Sequence, residues 1–219
     1  MRVFILAAGF GKRLRPFTEK LPKPLIKVKN KPLIYWNLKK IKNAGFNNVV
    51  INTHYLSKKI IRTVGKGEKY GLKINFSYEE EIQGTGGALI KAKKLLQKEP
   101  FLLLSGDLWS DYPLEKFLDF KLKKAAHLIF FKEKKSKDAY IEAGIVKNSK
   151  TRNNLTYAGI AVINPKIFRG LEEDYYDLWT DLLQKYVKQN EVTGEIYSGE
   201  LINLNSKKEM NLLDALVVE

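Results

Sequence analysis

No cysteine occurs in this chain of 219 residues, which excludes a disulfide framework and a thiolate metal site and leaves no thiol redox chemistry. Histidine is nearly as scarce. His54 and His127 are the only two, no Ser/His/Asp arrangement is suggested, and both read as structural. No apolar run approaches the ~18 residues that a membrane helix needs. The opening run VFILAA is six residues long and passes straight into GFGKR, so it reads as a buried first strand and not as the core of a signal peptide. The expectation is a cytoplasmic protein with no membrane partner. Repeats, low-complexity tracts and linkers are also missing, which leaves one domain over residues 1–219, long enough for a proper hydrophobic core.

Acidic residues are in deficit, 24 against 39 basic ones, for a net charge of +15. Such a balance invites a nucleic-acid reading. The lysines, however, come in dispersed pairs, Lys39–Lys40, Lys58–Lys59, Lys93–Lys94 and Lys123–Lys124. Dispersed lysine is a solvated face with an attraction for small anions, and no nucleic-acid partner is expected. The densest cluster, KEKKSK at 132–137, reads as an exposed loop.

What is present in quantity is alternation. RVFILA (2–7), VVIN (49–52), LKINFSY (72–78) and FLLLS (101–105) read as strands. Between them, 32–44, the basic stretch 56–64 and 85–97 read as helices, the first with Leu33, Ile34, Leu38 and Ile41 along one face. This order predicts an α/β fold, a Rossmann-like, mostly parallel sheet with helices on both sides. The second half is less regular. HLIFF (127–131), AGIV (143–146) and 155–164 read as strands, 177–190 as a helix, then short strands near 194–204 and a closing helix with Leu212, Leu213 and Leu216. A nucleotide-binding half over about 1–125 and an acceptor-binding half over about 126–219, sharing one sheet, is the natural architecture.

The stretch LAAGFGKRLRPFTEKLPKPL (6–25) follows the first strand. A dinucleotide-binding fingerprint needs a third glycine where Leu14 stands, and a P-loop needs its first glycine where Leu6 stands, so both fail. What remains is G-x-G-x-R-x-x-P-x-T followed by P-K-P. Gly9 and Gly11 let backbone N–H groups approach phosphate. Arg13 offers a forked, permanent cation, and Pro22 and Pro24 stiffen the backbone around Lys23. A prearranged cation at each end of a triphosphate suits transfer at the α-phosphorus.

On these residues the chain resembles the sugar-1-phosphate nucleotidylyltransferases, nearly end to end. The resemblance implies a nucleotide-diphospho-sugar transferase type of fold, a mixed, mostly parallel sheet. It also implies a nucleoside triphosphate lying over Ala8, Gly9 and Gly11 and attacked at its α-phosphorus by a sugar 1-phosphate. Arg13 would hold the departing pyrophosphate, and Lys23 the α-phosphate and the incoming sugar phosphate. SYEEEIQGTGGALIKA (77–92) would read the base, with Gly84 and Thr85 at the nucleotide. Glu79 can accept from the N3–H of uracil or thymine but not pair with cytosine N3, itself an acceptor, which favours UTP. An acidic surface patch of Glu79, Glu80 and Glu81 is the alternative.

FLLLSGDLWSDY (101–112) puts Asp107 just beyond a buried strand, where ligands of open α/β sheets collect. Asp107 is therefore a candidate Mg²⁺ ligand, while Asp111 reads as a helix-start or surface residue. Within the family, GD-x-W-[ST]-D-Y, T-G-G and the late T-[FY]-x-G-I look most like the N-acetylmuramate-1-phosphate uridylyltransferases, which act in cell-wall sugar recycling. The resemblance then implies transfer from UTP to N-acetylmuramate 1-phosphate. Another sugar 1-phosphate, phosphocholine, or a catalytically weakened nucleotide-binding relative are the alternatives. Tyr157, Gly159 and Gly144 would face the sugar, with Tyr157 as a plain core aromatic left open. One departure is visible. Where the family carries a second metal-binding aspartate in W-x-D-x-G-T, this chain has LINLNS (201–206), so Asn203 takes its place as a candidate metal ligand. Strand alternation points Glu200 to the opposite face. A monomer and a homodimer both remain open.

Overall fold

The protein is described by a computed structural model over residues 1–96, 99–132, 138–149 and 151–217. Its centre is one nine-stranded sheet. Four strands of the first half, β1 (Val3–Leu6), β4 (Asn48–Thr53), β5 (Lys73–Tyr78) and β6 (Phe101–Ser105), lie side by side in the order β5-β4-β1-β6, all parallel. The second half adds β11 (Thr156–Ile163), β8 (Ala126–Phe131), β12 (Val192–Ile196), β10 (Ile145–Lys147) and β9 (Tyr140–Glu142), in that spatial order. β11 and β10 run against the rest, so seven of the nine strands share one direction. Two small ribbons complete the strands, β2 (Lys27–Val28) with β3 (Lys31–Pro32), and β7 (Leu108–Ser110) with β13 (Leu201–Asn203).

The apolar strands follow from their burial on two faces. Val3 and Ile5, with Leu102 and Leu104, point into one core cluster beneath the helices Leu33–Asn43 and Ser57–Val64. Phe4, Phe101 and Leu103 point into the other, beneath Gly84–Lys91 and Leu178–Leu183. A third cluster joins Leu14 and Ile26 to Ile202, Leu204 and Leu213, packing the opening loop against β13 and the closing helix Lys207–Leu216.

Several elements differ from expectation. The helix predicted over 85–97 breaks at Ala92 into Gly84–Lys91 and Lys93–Leu96, and Gln97 lies outside the described residues. The helix predicted over 177–190 opens as a π-helix, Leu178–Leu183, before α-helical Gln184–Lys188. AGIV is not one strand, because Ala143 and Gly144 both have positive φ and turn β9 into β10. The three-residue β7 and β9 are too short to show a period of two, and sequence reading missed them. The KEKKSK cluster lies, from 133 onward, outside the described residues.

One half-buried charge carries a pH signature. Lys40, on the helix Leu33–Asn43, donates to the carbonyl and to Oγ of Ser110. Burial lowers its pKa to about 8, against the opposing pull of Asp111 and Glu115. The unfolded chain therefore binds the extra proton between pH 8 and about 10.5, and stability rises with pH across that window. Tyr112 and Tyr197 act oppositely, because burial raises both, Tyr197 to about 12, so their stabilisation is lost above about pH 10. Urea denaturation from pH 7 to 10 is expected to show a positive slope that Lys40→Met flattens. An unchanged slope in the variant would disprove the assignment.

Candidate active site

β1 has β4 on one side and β6 on the other, so the strand order reverses between β1 and β6, and a crevice opens beyond their C-terminal ends. The loops that leave β1, β5 and β6 converge there. A cavity of about 350 Å³ has Ala8, Gly9, Glu79, Gly84 and Thr85 among its walls. A smaller one of about 230 Å³ is walled by Gly11, Lys12, Arg13 and Leu14. Gly9, Lys23 and Asp107 line both. The two compartments thus meet at one cation and one carboxylate.

Lys23 begins a short 3₁₀ turn, Lys23–Leu25, between its two prolines. Its side chain is only 11% exposed and its ammonium is paired with Asp107. The same Nζ donates to Asn205 Oδ1 at 2.9 Å. Asp107 stands just past β6 because Gly106 permits it. The Gly106 N–H donates to the Leu6 carbonyl at 2.8 Å, and a Cβ at Gly106 would meet that oxygen at 2.5 Å. Only glycine lets the ends of β1 and β6 approach this closely. Arg13 is exposed and reaches the smaller compartment alone.

At the other end of the cleft Glu79 is buried, 1% exposed, whereas Glu80 and Glu81 are exposed. The surface-patch alternative therefore does not hold for Glu79. Its Oε1 accepts from Asn52 Nδ2 at 2.6 Å, and its Oε2 from the Gln83 N–H at 3.1 Å. Asn52 Oδ1 in turn accepts from the Ala7 N–H at 2.6 Å. A relay Ala7–Asn52–Glu79–Gln83 therefore ties the first strand to the Q-G-T-G-G segment, and each carboxylate oxygen has capacity for a further hydrogen bond. His54 faces this relay from behind, its Nδ1 3.0 Å from the Glu79 carbonyl, which is a structural role. Thr85 is engaged with the second half, accepting from Leu178 N–H at 2.8 Å and donating to Asp177 at 3.2 Å. Gly84 and Gly87 allow this docking, since a Cβ on either would meet the backbone carbonyl of Tyr176 or Asp174.

The acceptor candidates are scattered. Gly159 sits at an irregularity of β11 between Tyr157 and Ala161, with Ser105 Oγ 2.5 Å from where its Cβ would be, so it abuts the floor of the cleft. Tyr157 is taken up in the core instead. It packs against the second core cluster and the Phe130 ring, and its buried hydroxyl has no hydrogen-bond partner among the described residues. Gly144 lies in the β9–β10 turn, three strands beyond β11 in the sheet, roughly 14 Å away at the usual strand spacing. The structure does not bring Tyr157 or Gly144 to the two compartments.

Asn203 is half-buried at the end of β13, opposite Leu108. Its side chain makes no hydrogen bond among the described residues. Two side chains that hold candidate residues escaped the sequence reading. Asn52 is one apolar-strand residue among many, and Asn205 carries no signal at all until the fold brings it to Lys23. Asn205 stands in LINLNS two positions beyond Asn203, but alternation alone gives no reason to prefer it.

Comparisons with known proteins bear on the family and the fold. A family model for nucleotidyl transferases matches residues 2–156. Over 99% of its length the chain is 31% identical to an N-acetylmuramate alpha-1-phosphate uridylyltransferase of Neisseria meningitidis, covering 98% of that protein. A mannose-1-phosphate guanyltransferase of Yarrowia lipolytica is 34% identical over 76% of the chain, which spans 50% of that longer protein. Among solved structures, one described as a glucose-1-phosphate thymidylyltransferase from Bacillus anthracis, in complex with sucrose, superposes with a TM-score of 0.88 at 19% identity. The match covers 99% of this chain and 94% of that one. HddC from Yersinia pseudotuberculosis, complexed with GMP-PN, gives 0.83 at 22% identity, covering 98% of each chain.

Proposed function

That the chain belongs to the nucleotidyl transferase family is the premise from which we propose its reaction. It transfers a uridylyl group from UTP to N-acetylmuramate 1-phosphate, giving UDP-N-acetylmuramate and pyrophosphate. The observation that carries the chemistry is the meeting of two compartments at Lys23 and Asp107. A nucleoside monophosphate in the larger compartment and a pyrophosphate in the smaller one would place the α-phosphorus at that junction. The choice of substrates is supported by the Neisseria uridylyltransferase, which matches over nearly the full length of both chains.

A sugar phosphate is anionic near neutral pH, so the nucleophile needs no general base. The chain has to align attack with departure and offset the charge that gathers on the α-phosphate. Lys23 does the second at the junction, and the exposed guanidinium of Arg13 steadies the leaving pyrophosphate. The larger compartment aligns the nucleoside through the buried Glu79 and the backbone at Ala8 and Gly9. Among the described residues no group of three or more His, Asp or Glu converges to hold a metal ion. The carboxylate of Asp107 and the amide oxygen of Asn203 nevertheless fit Mg²⁺, which keeps several waters and takes substrate phosphates as further ligands. Bound there, Mg²⁺ would supply charge neutralisation on the triphosphate.

Purified protein with a panel of nucleoside triphosphates and sugar 1-phosphates, read by pyrophosphate release, tests the proposal. UTP with N-acetylmuramate 1-phosphate is expected to be the best pair, and no release from any pair would sink it. A guanylyl transfer is the second reading, because a carboxylate accepts from the N1–H and N2–H of guanine as readily as from uracil and guanyltransferases match the chain. GTP with mannose 1-phosphate would then lead the panel. Under the uridylyl reading, Glu79→Gln places an amide among the donors of Asn52 and Gln83. It is expected to reduce the kcat/KM preference for UTP over CTP by about 10-fold or more. An unchanged ratio would remove Glu79 from base selection.

A further inference from the structure

The ammonium of Lys23 has three N–H donors. Two are taken, one by Asp107 and one by Asn205. The two acceptors come from opposite strands of one ribbon. Asp107 precedes β7 and Asn205 follows β13, and the Leu204 N–H donates to the Asp107 carbonyl at 2.9 Å. The ribbon therefore presents a carboxylate and an amide oxygen side by side, and the third N–H of Lys23 is left for the junction of the two compartments.

Asn205 is itself fixed from the far side. Its backbone N–H donates to Glu209 Oε2 at 3.0 Å, and Ser206 caps the closing helix by accepting from the Glu209 N–H. Ser206 and Glu209 thus form a variant of the reciprocal capping arrangement, with the glutamate reaching one residue further back. The closing helix then packs Leu213 into the cluster that also holds Leu14 and Ile26, which flank Lys23 in the chain. Helix, ribbon and phosphate loop are held against one another, and Asn205 is where they touch the lysine.

We propose that Asn205 is a positioning residue that sets the Lys23 ammonium for the α-phosphate, an inference that rests on reading the cleft as a nucleotidyl-transfer site. Lysine carries a point charge on a flexible four-carbon stem, and prolines on either side of it fix only the backbone. A second anchor is needed to aim the charge. A neutral amide does this without cancelling it, whereas a second carboxylate would leave Lys23 between two negative groups and reduce its pull on phosphate. The amide at position 205 holds the cation and leaves its charge available.

Two readouts test this, one of them independent of turnover. The first is acetylation of Lys23 by an N-hydroxysuccinimide ester, followed by mass spectrometry against exposed Lys58 as the internal reference. Lys23 is expected to react slowly in the native chain, several-fold faster in Asn205→Ala, and slowly again in Asn205→Asp, which restores an oxygen acceptor. A residue with only a structural role would lower the melting temperature of Asn205→Ala and leave the Lys23-to-Lys58 ratio unchanged well below melting. The second readout is kinetic. Asn205→Ala is expected to lower kcat about 10- to 100-fold, the loss of one hydrogen bond to a charged group, with the KM for the nucleotide changed less than about 2-fold. Native labelling and native kcat in Asn205→Ala would overturn the inference while leaving the proposed reaction intact. A native protein that releases no pyrophosphate would overturn the reaction, and the labelling ratio would still decide whether Asn205 holds Lys23.

Discussion

Lys23→Ala is expected to lower pyrophosphate release by about 10²–10³-fold, the usual cost of removing one preorganised charge-stabilising donor. The loss should fall on kcat, because the lysine stands at the junction of the compartments and opposes charge that develops only during transfer. The fold should survive. Asp107, left without its partner, is 30% exposed in its side chain and can be solvated, so stability is expected to change by less than about 1 kcal/mol. Asp107→Asn should also lower turnover, and the double variant should lose less than the two losses combined, because the residues act on the same group. Steady-state kinetics with a thermal melt on each variant provides the check. Near-native kcat in Lys23→Ala would remove the lysine from the chemistry.

Phe101→Ala should produce the largest loss of stability without a matching loss of activity. Phe101 is fully buried at the start of β6 and meets Phe4 edge-on, with ring centroids 6.4 Å apart. Deleting such a ring costs about 3–5 kcal/mol through lost transfer energy and the cavity left behind. For a domain of this size that corresponds to a melting temperature lower by roughly 6–20 °C. The position lies at the opposite end of β6 from Asp107, so kcat at 20 °C should stay close to native. A melt shifted by less than about 3 °C would mean that the surrounding side chains collapse into the space.

The first half of the fold was legible because its strands are buried on both faces and its helices carry one apolar face. Both patterns are local and long enough to read. The second half was less legible because β7, β9, β10 and β13 have three residues each, and strands that short exist only through pairing. The phosphate loop was legible for a related reason, since glycine, proline and basic residues at fixed spacing have few uses. Glu79 required the fold to tell it from Glu80 and Glu81, because three adjacent carboxylates differ only in burial. Tyr157 illustrates the same limit in reverse. Its neighbour Gly159 reaches the cleft floor, while the tyrosine packs with Ala161 and Ile163 of the same strand into the second core cluster.

The hydrogen bond between Lys23 and Asn205 joins residues 182 positions apart, and this has a consequence for the moment at which the protein becomes active. On a ribosome adding about 5–20 residues per second, the phosphate loop, Glu79 and Asp107 have all been made when roughly half the chain is complete. They can gather around β1, β4, β5 and β6 while β13 and the closing helix do not yet exist. A nascent chain at that stage holds nearly every polar group of the cleft, yet its lysine has only one anchor. Synthesis of β13 and the closing helix adds the second anchor, so the proposed transfer reaches its full rate only once the β7–β13 ribbon has formed.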